Sequence, residues 1–331
     1  MYLKMNNPFD ISFHKWRRIY KEYELAYSSA KDFPPFLSPK FIDITLKHKI
    51  FFSESRFKKF LIAKGVFQNG IIYAPLLVDK KSASLIGDYT SASYTGFVYK
   101  GIVSKIDIQS FVKKLSEKLQ RTIVFEKILP FNSIYDALDL TEKTTCVKVD
   151  FNSSFDDYFN SLKKNVRQNY RTVFNRLKRE NKEISIKFFF NEKIPRTLKR
   201  KLVSLYVERS KHWDKSNKRL INVLHRKYFD LMNNGLDKVD NCFCSVLSID
   251  NCVCGFMMGV LTADMRICTI PRLAVDTTFG VYCPGLVLIV DSIRYLIERG
   301  CVCLDLSRGE EQYKFTVGGT TYRLLSGKIV Y

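Results

Sequence analysis

The residues best suited to chemistry lie in DTTFGVYCPGLVLIVDSIRYLIERG (276–300), a glycine-containing turn that runs into an amphipathic helix. Free backbone N–H groups and the positive end of the helix dipole converge at such a start, which makes it a place for an anion. Gly280 and Gly285 allow close backbone approach, and Pro284 suits an early helix position. Tyr282, Cys283, Gly285 and Leu286 can offer amides to a diphosphate, whereas Pro284 has none to offer. An ordinary capped helix explains the same residues, so the turn alone decides nothing. Beyond it, CVCLDLS reads as a buried strand, followed by polar residues that include Arg308, Tyr313 and Lys314.

A second candidate is FDDYFNSLKKNVRQNYRTVFNRLKREN (155–181). It opens on Ser153-Ser154 and two acids, Asp156 and Asp157, and closes in lysines and arginines, the charge order a helix dipole favours. Phe159, Leu162, Val166, Tyr170, Val173, Phe174 and Leu177 recur at helical spacing and predict one packed face. Lys163, Lys164, Arg167, Arg171, Arg176, Lys178 and Arg179 form the rest, either a solvated surface or the wall of a phosphate-facing groove.

Metal chemistry finds little support. Cysteines pair as C-x-C at 242/244, 252/254 and 301/303, not in zinc-knuckle spacing, and His14, His48, His212 and His225 lie far from them. Two thiols at i, i+2 share one strand face, where cysteine packs as a small hydrophobe.

The elements that must position these groups fall into two stretches. Up to about residue 150 the pattern is an opening helix (HKWRRIYKEYELAYSS), a helix after PPFLSPK, and a hairpin breaking at Gln68-Asn69-Gly70 with Asn-Gly at its turn. A helix over 107–120, a strand at TIVFEKI and another at 141–151 complete a mixed α/β unit. The second stretch adds the basic helix, the strand ISIKFFF, and helices in LKRKLVSLYVERSKHW and LINVLHRKYFDLMNNG. Three strands follow (CFCSVLSID, CVCGFMMGVLTA, RICTIPRLAV), then the turn, helix and strand above, and KFTVGGTTYRLLSGKIVY as a closing hairpin. No repeat stands out, although both halves mix strands and helices alike.

Composition narrows the function classes. The 331 residues are 46% hydrophobic and 14% aromatic, enough to fill two cores, which excludes a largely disordered chain. No run approaches the ~18–20 apolar residues of a membrane span, and the N-terminal stretch lacks a secretory pattern. Nine cysteines without an export signal fit a reducing, cytoplasmic setting. A net charge of +21, positive in both halves, fits a polyanionic partner such as nucleotide phosphates, nucleic acid or an anionic membrane surface. Solubility or genome composition accounts for such an excess equally well.

With these residues in view, the sequence resembles GNAT acyltransferases of the branch typified by cellulose-biosynthesis (CelD-like) proteins, distantly related to the Fem aminoacyl transferases. The resemblance rests on PFLSPKF (35–41), LIGDYTSASYTGFVY (85–99), LKKNVRQNYRTVFNRLKRE (162–180), VYCPGLVLIVDSIRYLIERG (281–300) and LDLSRGEEQYKFTVGG (304–319). It implies an α/β (α+β) chain of two tandem GNAT-like domains, each a mixed, mostly antiparallel sheet flanked by helices. Residues 1–150 would form the acceptor-side domain and 151–331 the domain with the acyl-CoA site. There two neighbouring strands splay apart, and the donor's pantetheine pairs with the first, at Leu273, Ala274 and Val275. The diphosphate sits on Tyr282, Cys283, Pro284, Gly285 and Leu286. This turn departs from the Q/R-x-x-G-x-G/A form of ordinary GNAT enzymes, and Cys283 stands where the branch often has serine.

The reaction implied is attack of an amine on the thioester of acetyl-CoA or another acyl-CoA, with no metal. Asp305 would orient the amine or take its proton, Tyr313 protonate the leaving thiolate, Lys314 stabilise negative charge, and Arg308 bind acidic substrate groups. Asp305 and Arg308 forming a buried pair is the plainer alternative. In the first domain Asp88, Tyr89 and Tyr94, beside Gly87, match a motif that faces the interdomain cleft and would hold a sugar or an amine. The basic helix 154–180 would lie between domains, contacting a small-molecule acceptor such as an anionic nucleotide sugar. Two rivals remain: a Fem-like transferase drawing on charged tRNA, and a GNAT-shaped binding module without turnover that docks on nucleic acid or, peripherally, on a membrane.

Overall fold

The computed structural model describes residues 9–30, 33–47, 59–86, 92–130, 132–151, 154–210 and 236–331. The chain divides into two compact units, 1–144 with 323–331, and 145–322. The expected boundary after Asp150 therefore falls inside the second unit, and the last residues belong with the first.

In the first unit the elements are β1 (Asp10–His14), α1 (Trp16–Tyr27), α2 (Pro39–Lys47), β2 (Lys59–Val66), β3 (Gly70–Val78), β4 (Ser82–Leu85), β5 (Val98–Gly101), α3 (Lys105–Leu119) and β6 (Thr122–Ile128). Strands order β1-β2-β3-β4-β6, with β5 also pairing β3. The pairs are antiparallel except β4–β6, which is parallel, as a strand–helix–strand crossover through α3 requires. One apolar cluster joins Phe111 and Leu115 of α3 to Ala63, Ala74 and Phe125, and a second joins Trp16, Ile19 and Tyr23 of α1 to Ile62 and Tyr73. The expected hairpin is present, but Phe67 N donates to Gly70 O (2.8 Å) and Gln68-Asn69 form its loop. Gly70 instead opens β3 opposite Gly101, where an added Cβ would meet Ile102 O at 2.6 Å.

The second unit begins within β7 (Thr141–Asp150) and continues with α4 (Phe155–Ser161), α5 (Lys164–Arg179), β8 (Ile184–Phe190), α6 (Arg196–Ser210), β9 (Cys242–Ile249), β10 (Cys252–Leu261) and β11 (Ile267–Val275). Then come α7 (Pro284–Ile297), β12 (Cys303–Arg308), α8 (Gln312–Thr316) and β13 (Thr320–Ile329), whose last residues return to the first unit. Its sheet runs β7-β12-β11-β10-β9-β8 and is antiparallel except between β11 and β12. Val166, Tyr170, Val173 and Leu177 of α5 pack with Val287, Leu288, Val290 and Ile293 of α7 in one apolar cluster over the sheet.

Two sequence expectations need correction. The basic segment is two helices, not one, because Leu162 and Lys163 are extended (ψ 149° and 143°). The closing hairpin is a short helix followed by a single strand. Gly318 ends that helix at φ +89°, and Gly319 passes so close to Lys314 O that a Cβ would sit 2.5 Å from it. The second helix expected over 220–235 lies outside the described residues. All nine cysteines are free, and burial pushes the Cys242 and Cys254 thiols up to about 12 and Cys301 to about 11. These thiols are inert packing groups. Among the described residues, no helix is long and apolar enough to cross a membrane, and no group of metal-ligating side chains gathers.

Candidate functional site

Strands β11 and β12 begin as a parallel pair, Ile267 opposite Cys303, Cys268 opposite Leu304 and Thr269 opposite Asp305. Pairing stops there. β11 runs on for six residues to Val275, its register to β10 shifted by an irregularity that includes Pro271. Asp276 N donates to Cys254 O (2.8 Å), so alternation commits Ala274 and Arg272 to β10 and turns the backbone groups of Leu273 and Val275 to the open side. A splayed strand pair whose edge groups are not taken by a neighbouring strand is what an extended, amide-bearing ligand can join.

At the end of β11 the turn is a built structure. Asp276 Oδ1 accepts from Thr278 N (2.9 Å) and Thr278 Oγ1 (2.7 Å), starting a 3-10 turn over Thr277–Tyr282. Cys283 then takes a left-handed conformation (φ +43°), uncommon for a residue with a side chain, and makes no side-chain cap bond to α7. No acid stands in the first turn of α7, so the positive end of its dipole is not neutralised from within the helix. Of the amides expected to face a diphosphate, Cys283 N donates to Gly280 O and Leu286 N to Cys283 O, both at 3.0 Å. Those two are committed to the chain, which corrects the expected donor set. At Gly285 an added Cβ would make only ordinary van der Waals contact, with Val275 Cγ1 at 3.8 Å. The end of α5 braces the turn: Arg176 donates to Val281 O (2.5 Å), and Tyr282 Oη donates to Glu180 (2.6 Å).

The polar residues in and after β12 divide into two roles. Asp305 is 5% exposed; its Oδ1 accepts from Ser307 N (2.7 Å) and its Oδ2 from Tyr322 Oη (2.5 Å). It thereby holds Ser307 at φ +62°, the bend at which the chain leaves β12. Lys314 is 1% exposed and donates to the carbonyls of Ser307 (3.2 Å), Arg308 (2.6 Å) and Gly309 (3.0 Å), with Glu311 at 3.0 Å. Three ammonium protons facing four acceptors leave nothing for an oxyanion. The expected charge-stabilising role of Lys314 is corrected to that of a turn-holder. Arg308 is exposed, so the buried Asp305–Arg308 pair does not form.

Tyr313 is half-buried and packs at the edge of the apolar cluster. Burial raises its pKa, while the positive charge of Arg209 opposes that shift. Arg209, from the last turn of α6, also donates to Leu273 O on the open side of β11. A cleft of about 630 Å³ adjoins, bounded by Lys201, Glu208 and Arg209 of α6 and by Val275, Asp276 and Thr277.

Asp88 and Tyr89 lie outside the described residues. Tyr94 is 3% exposed with its ring against Phe36 (5.8 Å), so it packs in the first unit instead of meeting a ligand. Sequence reading missed Arg209, Tyr322 and Asp276. Only Asp276 carried a signal, the Asp-Thr-Thr that opens a capped turn.

Residues 164–315 match the family described as "Acetyltransferase (GNAT) domain", a stretch from the start of α5 into α8 that contains β11, α7 and β12. This segment is a GNAT-type domain of the acyltransferase kind. The chain has the fold of the solved structure of FemX, at 10% identity over 96% of each chain (TM-score 0.62). It is similarly like a conserved protein of unknown function from Bacteroides thetaiotaomicron VPI-5482, at 11% identity over 98% of this chain and 100% of that one (TM-score 0.60). At such identities the likeness concerns the fold alone. No curated protein sequence matches the chain.

Proposed function

We propose that the protein transfers an acyl group, most simply acetyl, from acyl-CoA to an amine, with the donor held in the second unit. The observation that carries this reading is the end of β11–β12 pairing at Thr269/Asp305, directly before a helix start that lacks an internal cap. The donor supplies a thioester. The open groups of Leu273 and Val275 would pair with its amides, and Gly285 with the start of α7 would face its diphosphate. The acceptor nitrogen attacks the thioester carbon, a C–N bond forms, the C–S bond breaks, and the nitrogen gives up its proton to water. Tyr313, whose phenol carries its proton at neutral pH, would return a proton to the departing sulfur. Asp305 and Lys314 would act through the bend they hold. The acceptor class, an amino sugar or surface-glycan precursor such as a nucleotide sugar, follows from the CelD-like resemblance and the basic residues of α5. Titration with acetyl-CoA followed by thermal shift, then a screen of amino-sugar nucleotides for acetylation, tests it. No shift with any acyl-CoA removes the donor assignment.

A second reading has a specific observation in its favour. Likeness to FemX spans 96% of both chains, and a net charge of +21 suits a polyanion, as a Fem-like transferase drawing on charged tRNA requires. Binding of tRNA at two salt concentrations separates the readings: tight binding that falls steeply with salt supports tRNA, and weak, salt-insensitive binding removes it.

A further inference from the structure

An unpaired strand edge rarely stays bare, because each carbonyl taken out of water must find a donor. On the open side of β11 that donor comes from α6. Arg209 donates to Leu273 O, and its charge is felt at Tyr313, beyond the end of β12, where it opposes the rise that burial imposes on the hydroxyl's pKa. Next to Leu273, Arg272 donates to Pro271 O (2.6 Å) with its guanidinium over the Tyr206 ring of α6 (5.4 Å).

We propose that Arg209 is a latch in the donor cleft: its guanidinium holds the Leu273 carbonyl that a pantetheine amide must take, and the donor enters by displacing it. The inference rests on the acyl-CoA reading above. Three observations carry it. The contact is to backbone on the open edge, the group a strand-like ligand competes for. Arginine sits on a flexible stem, so it can leave without unfolding the helix that bears it. The adjoining cleft of about 630 Å³ is lined by Glu208 and Asp276, two carboxylates beside which a displaced guanidinium can settle. Arg209 then sets the donor's affinity by competing with it for the edge of β11.

The test compares coenzyme A with 3′,5′-ADP, which carries phosphates but no pantetheine arm, by calorimetric titration of the full chain. Arg209→Ala should bind coenzyme A about tenfold more tightly than the parent, the scale of one charge-assisted hydrogen bond no longer to be displaced. Affinity for 3′,5′-ADP should not change. Arg209→Lys, which keeps the charge and removes the fork, should fall between; it also serves as the readout if the alanine variant loses its cooperative melt. Equal or weaker coenzyme A binding by a folded variant overturns the latch and leaves the donor reading intact. Coenzyme A binding to neither protein overturns the donor reading, and the latch with it.

Discussion

The two units build the same strand–helix–strand crossover and finish it in opposite ways. In the first, β4 and β6 pair in parallel over Ser82–Thr122, Ala83–Ile123 and Ser84–Val124, as short a contact as that between β11 and β12. Beyond it the chain fills its own gap: Thr95 N donates to Lys127 O (3.1 Å), Thr95 Oγ1 to Ile86 O (2.7 Å), and Thr95 bridges to Ile128. The crossover helix α3 is closed by a capping box, Ser104 with Asp107, which places a carboxylate at the positive dipole end. In the second unit, β11 keeps an open edge and α7 starts on Cys283 without a cap bond or an acid. One fold thus yields a sealed crossover and one that can receive an extended, anionic ligand. On the donor reading proposed above, the chemistry lives in the finish, not in the topology.

That contrast can be broken or sharpened by substitution. The largest effect is expected at Lys314, a buried ammonium whose removal leaves three carbonyls of the bend without their cation. Lys314→Ala should cost about 3 kcal/mol in urea unfolding. An inactive variant with unchanged stability would instead restore a catalytic lysine. Next, Gly285→Asp gives α7 the acid that α3 already has. The space accepts a side chain, since the nearest atom to an added Cβ is Val275 Cγ1 at 3.8 Å. Coenzyme A affinity should drop about tenfold while the melting temperature holds or rises, because the same charge repels the diphosphate and favours the helix. The mirror experiment, Asp107→Ala, should cost about 1 kcal/mol of stability and leave donor affinity untouched; a shift in affinity would mean the first crossover also binds.

The smallest effect concerns Asp291, on the face of α7 that meets α5. Burial raises its pKa, against hydrogen bonding from Tyr170 (2.8 Å) and the charge of Arg294. A raised folded-state value means its contribution is complete at low pH and is lost as pH rises through the folded-state pKa. Asp291→Asn should therefore be the more stable protein at neutral pH, by a small margin that disappears at pH values below the usual carboxylate range. Equal stability across the whole pH range would show that Tyr170 and Arg294 fully offset burial.

Much of this was legible in the sequence because it is local. Alternating cysteines and aliphatics marked β9, β10 and β12, and the turn–proline–glycine run marked the start of α7. The break at Leu162-Lys163 was not, since neither residue is a helix breaker; buried Leu162, whose side chain lies beside Gly318, sets it instead. The glycine pair 318–319 looked like a hairpin turn, but its task is to let the backbone pass Lys314 O. At the site, the strand edge and the helix start could be placed from pattern. That Asp305 and Lys314 hold a bend depends on backbone groups two to seven residues away, which residue types do not announce. That Arg209 reaches β11 from another helix depends on a partner 64 residues away, which no spacing encodes.

Hydrogen–deuterium exchange with and without saturating coenzyme A tests the central claim most directly. Slowed exchange at Leu273, Val275 and Gly285, with residues 82–86 and 104–108 unaffected, is the predicted outcome. Protection absent from 273–287, or appearing at the first unit's crossover instead, would contradict it.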